Sequence, residues 1–196
     1  MSAELRESKR RLRRQMSQRR RLVPKAEAER VARIAAQSLI RSAPAARAHR
    51  IALYAALPDE LPSRPLFDSV VDRCSQVLLP RTAEEDRLEF FPVTRWEELQ
   101  PGCYGVLEPP PEGPPELLAP DDLVVVPGVA FDSFGNRLGR GKGCYDRTFA
   151  SGSGPILIGF GYEFQVIEAV PHEAGDRRMD AIVTECAVRT CGEPLS

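Results

Sequence analysis

The chain has 196 residues, enough for one domain with a full core and too few for two comfortable ones. A hydrophobic fraction of 42% and a formal charge of -1 describe an ordinary globular protein. No apolar run approaches the roughly 20 residues needed to span a bilayer, so no membrane role is expected. The N-terminus lacks the apolar segment of a secretory signal, and the five cysteines include no CxxC pair, which points to a reducing cytoplasm. With only His49 and His172 beside them there is no zinc-like ligand set, and the thiols read as structural or incidental.

Charge is unevenly spread: 15 of the 27 Lys and Arg, but 4 of the 28 Asp and Glu, lie in the first 50 residues. Residues 2–22 form a predicted helix with a narrow apolar stripe of Leu5, Leu12 and Met16, otherwise studded with Arg. Its cations fit a solvated face, a nucleic-acid patch or a contribution to a phosphate site. Pro24 suits a first helical turn, and Val31, Ile34, Ala35 and Leu39 define a second amphipathic helix that stops before Pro44.

Residues 51–57 read as a buried strand bounded by Pro58-Asp59, a third helix spans 65–74, and a second strand, 76–79, ends at Pro80-Arg81. Helix–strand alternation predicts a single α/β domain over residues 1–196, with a central mostly parallel sheet flanked by helices and a basic N-terminal helix. Ligands of such sheets sit beyond the carboxyl ends of strands, where Asp59, Glu60 and Arg81 fall. Each also reads as an ordinary exposed loop charge. Residues 88–93 are a further strand and 94–99 a helical turn or two. Residues 101–120 hold seven prolines and must be loop.

Residues 123–126 are a buried strand that runs out at Pro127-Gly128 into a stretch dense in glycine and cation. Gly139, Gly141 and Gly143 alternate with Arg140 and Lys142, so the backbone can bend close to a ligand while two cations project from it, and phosphate is the matching guest. Tyr145 and Asp146 follow, an aromatic surface and a carboxylate suited to Mg²⁺. Neither the Walker A pattern nor GxGxxG is present. A helix is predicted over 141–149, with its free N–H groups toward phosphate and its end at 151–154. A strand over 155–162, a turn or helix over 164–169 and a closing strand over 179–185 complete the chain.

The run PGVAFDSFGNRLGRGKGCYDR resembles the signature of the 5-formyltetrahydrofolate cyclo-ligase family over about twenty positions. Cys144 is the departure within it, since the family usually has a Tyr there ahead of Tyr145. The resemblance extends through the basic helix, IALYAALPDEL, LLPR, the Pro-rich loop and the final Asp strand, in family order. It implies an ATP- and Mg²⁺-dependent conversion of 5-formyltetrahydrofolate to 5,10-methenyltetrahydrofolate, with ATP as co-substrate. By the same resemblance Lys9, Arg10, Arg13, Arg137, Gly139, Arg140, Gly141, Lys142, Gly143 and Tyr145 bind ATP, and Arg140 and Lys142 are catalytic. Ala55, Glu60 and Tyr104 would line the folate pocket, and Asp146 and Asp180 would hold Mg²⁺. A monomer without nucleic-acid partners is expected. The rival is a non-catalytic nucleotide-, folate- or RNA-binding protein of the same fold, whose RNA affinity would fall steeply with salt and need neither Mg²⁺ nor ATP.

Overall fold

The computed structural model describes residues 2–150 and 154–192. Helix α1 (Ala3–Arg21) opens on Ser2, whose side chain accepts from the Leu5 N–H, and closes on Arg19, Arg20 and Arg21, cations that complement the carbonyl end of the helix dipole. Helix α2 (Lys25–Ile40) starts after Pro24 as expected. Pro44 then begins a helix as well as ending one: α3 (Ala43–Arg47) carries it in the first turn, where its missing N–H costs nothing.

The remaining elements are β1 (Arg50–Ala52), α4 (Arg64–Val70), β2 (Gln76–Thr82), β3 (Leu88–Pro92), β4 (Gln100–Pro101), β5 (Leu107–Glu108), β6 (Leu123–Pro127), β7 (Ala130–Phe131), β8 (Arg137–Leu138), α5 (Cys144–Thr148), β9 (Ile156–Phe160), β10 (Ala181–Val183) and β11 (Val188–Thr190). One seven-stranded sheet runs in the order β11-β10-β9-β6-β1-β2-β3. Its inner five strands are parallel, and antiparallel β3 and β11 close the two edges. The protein is therefore a single α/β domain with a mostly parallel sheet flanked by helices, as the alternation predicts.

Period-two alternation divides the core. Ile51, Leu53, Val77, Leu79, Leu123, Val125 and Ile158 face Ala32, Ala35 and Leu39 of α2 and Leu66 and Phe67 of α4. Their neighbours Ala52, Leu78, Val124, Val126, Leu157 and Ile182 point the other way, onto Phe131, Phe149 and Met179. Both faces of the inner strands are thus covered, which is why they read as unbroken apolar runs. At the amino ends of β1 and β6, Arg50 grips the buried Asp122 with Nε–Oδ1 and Nη2–Oδ2 contacts of 3.0 and 2.5 Å.

Several boundaries differ from the sequence reading. Strand β1 stops at Ala52, because from Tyr54 onward side chains replace the ladder: Ser63 Oγ donates to Tyr54 O at 2.5 Å and accepts from Ala56 N at 3.2 Å, and Tyr54 Oη donates to Leu61 O at 2.6 Å. Strand β2 continues through Pro80. Leu78 O points toward β1, where it accepts from Leu53 N, so two residues on the Pro80 nitrogen faces the side that β1 has left, and no ladder bond is lost.

The β7–β8 hairpin and β11 carry no clear alternation and were not expected, nor was the short β4–β5 pair, which enters the stretch 101–120 read as loop ahead of its proline cluster. The buried Asp132 organises the hairpin turn, accepting from Phe134 N, Asn136 N, Asn136 Nδ2 and Val170 N at 2.8–3.0 Å. Gly135 turns it at φ +83°, where an added Cβ would meet Met179 O at 2.4 Å. Helix α5 begins at Cys144, not residue 141: Gly141 and Gly143 hold φ +104° and +73°, which no right-handed helix allows. Its expected stop at 151–153 lies outside the described residues.

Candidate active site

Strands β1 and β6 are neighbours in the sheet, yet from β1 the chain winds outward to β2 and β3, and from β6 it winds the opposite way to β9 and β10. The crevice beyond their carboxyl ends is the topological switch point, where α/β sheets take their ligands. A cavity of about 550 Å³ occupies it, within the range of small-molecule sites. The β1 exit supplies Tyr54, Ala55, Leu57 and Glu60; the β6 exit supplies Pro127 and Gly128; and residues 137–146 form a further wall.

Helix α1 completes the enclosure. Lys9, Arg13, Met16 and Arg20 recur at helical spacing on its inward face. Met16 packs on Val129, Ala130, Leu138 and Val170. With that apolar anchor in place, Lys9 Nζ reaches Asp176 Oδ2 at 2.8 Å and Arg13 Nε donates to Gly139 O at 2.8 Å. Arg20, only 2% exposed, donates from Nη2 to Asp59 Oδ2 at 2.7 Å and from Nη1 to Gly128 O at 3.4 Å.

Asp59 and Glu60 follow Pro58 in a tight turn closed by Glu60 N donating to Leu57 O at 2.9 Å. Both carboxylates hold Arg140: its Nε donates to Glu60 Oε1 at 2.8 Å and its Nη2 to Asp59 Oδ1. Glu60 Oε2 also accepts from Leu57 N at 3.0 Å, yet a carboxylate has about four lone-pair sites and keeps capacity for ligand N–H groups. Burial alone would raise the Asp59 carboxyl, but the hydrogen bond from Arg140 and the charge of Arg20 outweigh it and hold the group below its ordinary value. For Arg140 burial works against the charge, and Glu60 and Asp59 more than restore it.

The glycine-cation segment lies across the cavity from these acids. Arg137, buried at 7% exposure, donates from Nη2 to Asp146 Oδ1 at 2.9 Å and stacks its guanidinium 5.4 Å from the Tyr145 ring centroid. Its Nε is buried with no acceptor among the described residues, as suits a site awaiting an anion. Burial pushes the Tyr145 hydroxyl well up, so it stays a neutral donor. At the rim Lys142 Nζ sits 4.3 Å from the Tyr104 ring centroid, Tyr104 Oη donates to Asp86 Oδ1, and Arg147 bridges Asp86 Oδ2 at 3.1 Å and Lys142 O at 2.5 Å.

Most of the expected site residues converge here: Lys9, Arg13, Ala55, Glu60, Tyr104, Arg137, Gly139, Arg140, Gly141, Lys142, Gly143, Tyr145 and Asp146 all line the cavity. Three do not. Arg10 is exposed on the outer face of α1 against Glu7, because one residue after Lys9 is about 100° around the helix. Asp180 precedes β10, at the amino end of the parallel strands, where its Oδ2 caps Leu157 N at 2.7 Å; it is not a partner for Asp146. Arg81 donates to Pro109 O at 2.5 Å and serves the Pro-rich loop. Conversely Arg20, Asp176, Asp86 and Arg147 escaped the sequence reading. Arg20 was legible from the 9, 13, 16, 20 spacing had cations been counted in the stripe; Asp176 sits in a loop without any signal.

For Mg²⁺ the fit is modest: no group of three His, Cys, Asp or Glu suited to a metal occurs among the described residues. Asp146 retains Oδ2 beside its Arg137 contact, which suits an ion that binds through one carboxylate plus phosphates and keeps several waters.

The sequence model of the 5-formyltetrahydrofolate cyclo-ligase family matches residues 5–185. The 5-formyltetrahydrofolate cyclo-ligase of Escherichia coli K12 is 29% identical over 176 residues, covering 87% of this chain and 97% of its own length. That of Mycolicibacterium smegmatis is 31% identical over 141 residues, covering 68% and 72%. The NMR structure of Aquifex aeolicus 5,10-methenyltetrahydrofolate synthetase superposes with a TM-score of 0.81 at 31% identity, over 96% of this chain and 95% of that one. Fold, signature and relatives lead to one assignment: the chain belongs to the 5-formyltetrahydrofolate cyclo-ligase family and is a ligase.

Proposed function

We propose that the protein uses ATP to convert 5-formyltetrahydrofolate to 5,10-methenyltetrahydrofolate, with release of ADP and phosphate. The observation that carries this reading is the meeting of Lys9, Arg13, Arg137, Arg140 and Lys142 with Glu60 around one switch-point cavity. A formamide oxygen is a poor leaving group, and phosphorylation makes it a good one. The formyl oxygen attacks the γ-phosphorus, ADP leaves, the neighbouring amine nitrogen attacks the activated carbon and gives up its proton to solvent, and phosphate departs with the former formyl oxygen.

Such transfer asks the chain for alignment and positive charge around the γ-phosphate and for no protein nucleophile. Lys9, Arg13, Arg137, Arg140 and Lys142 would gather the phosphates, and the bends at Gly139, Gly141 and Gly143 would let backbone approach them. Arg10 and Asp180 have no part in the proposed site. Glu60 would accept the paired N–H groups of the pterin, with Ala55 and Tyr104 also lining the pocket. Mg²⁺, held by Asp146 and the phosphates, would spread the charge of the transferring group. A monomer in a reducing compartment such as the cytoplasm is part of the same proposal, the five cysteines containing no CxxC pair. No helix among the described residues is long and apolar enough to cross a membrane.

The test is the near-ultraviolet absorbance of the methenyl product with 5-formyltetrahydrofolate, Mg²⁺ and ATP, for the parent and for Lys142→Ala and Asp146→Ala. Turnover that needs ATP and collapses in both variants supports function and site; ATP-independent turnover, or none, overturns the function.

A further inference from the structure

Arg20 is a guanidinium buried to 2% exposure on a helix whose other arginines mostly face solvent. Removing such a group from water is costly unless its contacts are good, and its Nε has no acceptor among the described residues. A Leu or Met at this position would pack with less penalty, so stability alone is a poor account of an arginine here. What it touches is more informative. Nη2 holds Asp59 Oδ2 at 2.7 Å, and Asp59 uses its other oxygen to hold Arg140 Nη2. Nη1 reaches Gly128 O at 3.4 Å, and Gln165 Nε2 donates to the same carbonyl at 2.7 Å. One buried fork thus ties the exits of β1 and β6 together from behind and orders the acid that grips Arg140.

Arg140 itself is 40% exposed in its side chain and reaches the cavity from a glycine-flanked loop, so little else on its own segment fixes its direction. We propose that Arg20 is a positioning residue for the ligase reaction: acting through Asp59, it sets the orientation from which Arg140 meets the anionic co-substrate. Glu60 and Asp59 divide the work. A folate ligand that engages Glu60 competes for the Arg140 Nε contact, and Asp59, locked by Arg20, keeps the guanidinium facing inward. Burial lowers the Arg20 pKa and the Asp59 charge opposes that, in keeping with a pair that must stay ionised to work.

The inference rests on the proposed use of ATP, and a double-mutant cycle separates the two. Arg20→Met, Arg140→Ala and the double variant are compared with the parent by kcat/KM for ATP, with circular dichroism and Tm recorded on each. Arg20→Met is expected to lose about 10²-fold alone, the scale of a misaligned contact, and about twofold or less in the Arg140→Ala background. Arg20→Lys keeps the charge without the fork and should fall between parent and Arg20→Met; it carries the same cycle should Arg20→Met not fold. Losses that multiply in the double variant, or a folded Arg20→Met with parental kcat/KM, overturn the inference. If the parent shows no ATP-dependent turnover, the proposed function fails, and the same cycle read on the Kd for ATP still decides the role of Arg20, losses that multiply again overturning it.

Discussion

Lys142 Nζ rests 4.3 Å from the centroid of the Tyr104 ring, so an exposed cation of the glycine segment is steered by an aromatic from a different loop. Such a contact at an exposed site is weak, but it favours one direction for the ammonium. Lys142→Ala should lower kcat by about 10²–10³, the cost of one well-placed donor to a charged transition state. Tyr104→Phe keeps the ring and should stay within about threefold of the parent, whereas Tyr104→Leu should lose about fivefold in kcat/KM. Steady-state kinetics on the three variants checks the ranking; equal effects of Phe and Leu would assign the role to the Asp86 hydrogen bond.

Asp146 and Asp180 should separate cleanly. Asp146→Asn is expected to raise the Mg²⁺ concentration for half-maximal rate by about tenfold or more, because it weakens the one protein carboxylate offered to the ion. Asp180→Ala should leave that Mg²⁺ curve in place and lower stability by about 1 kcal/mol, since Leu157 N loses its acceptor. A Mg²⁺ titration beside a urea melt distinguishes the two.

Alanine at Gly141 or Gly143 must adopt a left-handed backbone at φ +104° or +73°, a cost of about 1–2 kcal/mol each. Activity should fall further than that strain suggests, because relief would swing Arg140 and Lys142 away from the cavity. Gly135→Ala is a harsher case, with its Cβ set 2.4 Å from Met179 O, and soluble yield should drop sharply while Gly141→Ala is still recovered.

The acid limb of stability follows from Asp59 and Asp176. Burial opposes ionisation in both, but Arg140 and Arg20 for the first, and Lys9 for the second, hold each folded-state carboxyl below its ordinary value. Such groups contribute stability that is complete above the unfolded pKa of about 3.9 and is lost as pH falls through the lower folded value. Chemical denaturation from pH 7 down to pH 3 should show a flat region and then a decline below about pH 4, shallower in Asp59→Asn.

Cys144, where the family resemblance calls for a Tyr, has its thiol pushed up by burial and by Asp86. It should therefore react slowly with iodoacetamide at neutral pH, with the exposed Cys103 labelled first. Peptide mapping after timed labelling reads the order directly.

The strands were legible because burial on both faces makes Leu123–Val126 or Ile156–Phe160 continuous apolar runs, whereas their order, and with it the switch point, emerges only from the fold. The glycine segment was legible because positive φ, close approach and cations each demand particular residue types. Beyond that, sequence reading met its physical limits. Arg20 looks like its solvated neighbours until burial is known, and Asp176 meets Lys9 only because the fold joins positions 167 apart. Asp180 sits in a motif-like strand start, but which end of a parallel sheet a residue occupies depends on strand direction, and local pattern does not report that. The front of the signature, FDSFGN, proves to be a turn that holds Arg137 and its neighbours in place.

The Lys9–Asp176 bond also orders events during synthesis. Helix α1 precedes every strand, yet its Lys9 contact waits for Asp176, so a nascent chain can lay down β1, β2, β3, β6 and β9 before this wall of the pocket has its partner. Removal of α1 from the finished protein should take Lys9 and Arg13 out of the pocket wall, free Asp59 from Arg20 and uncover the apolar cluster under Met16, all in a single cut.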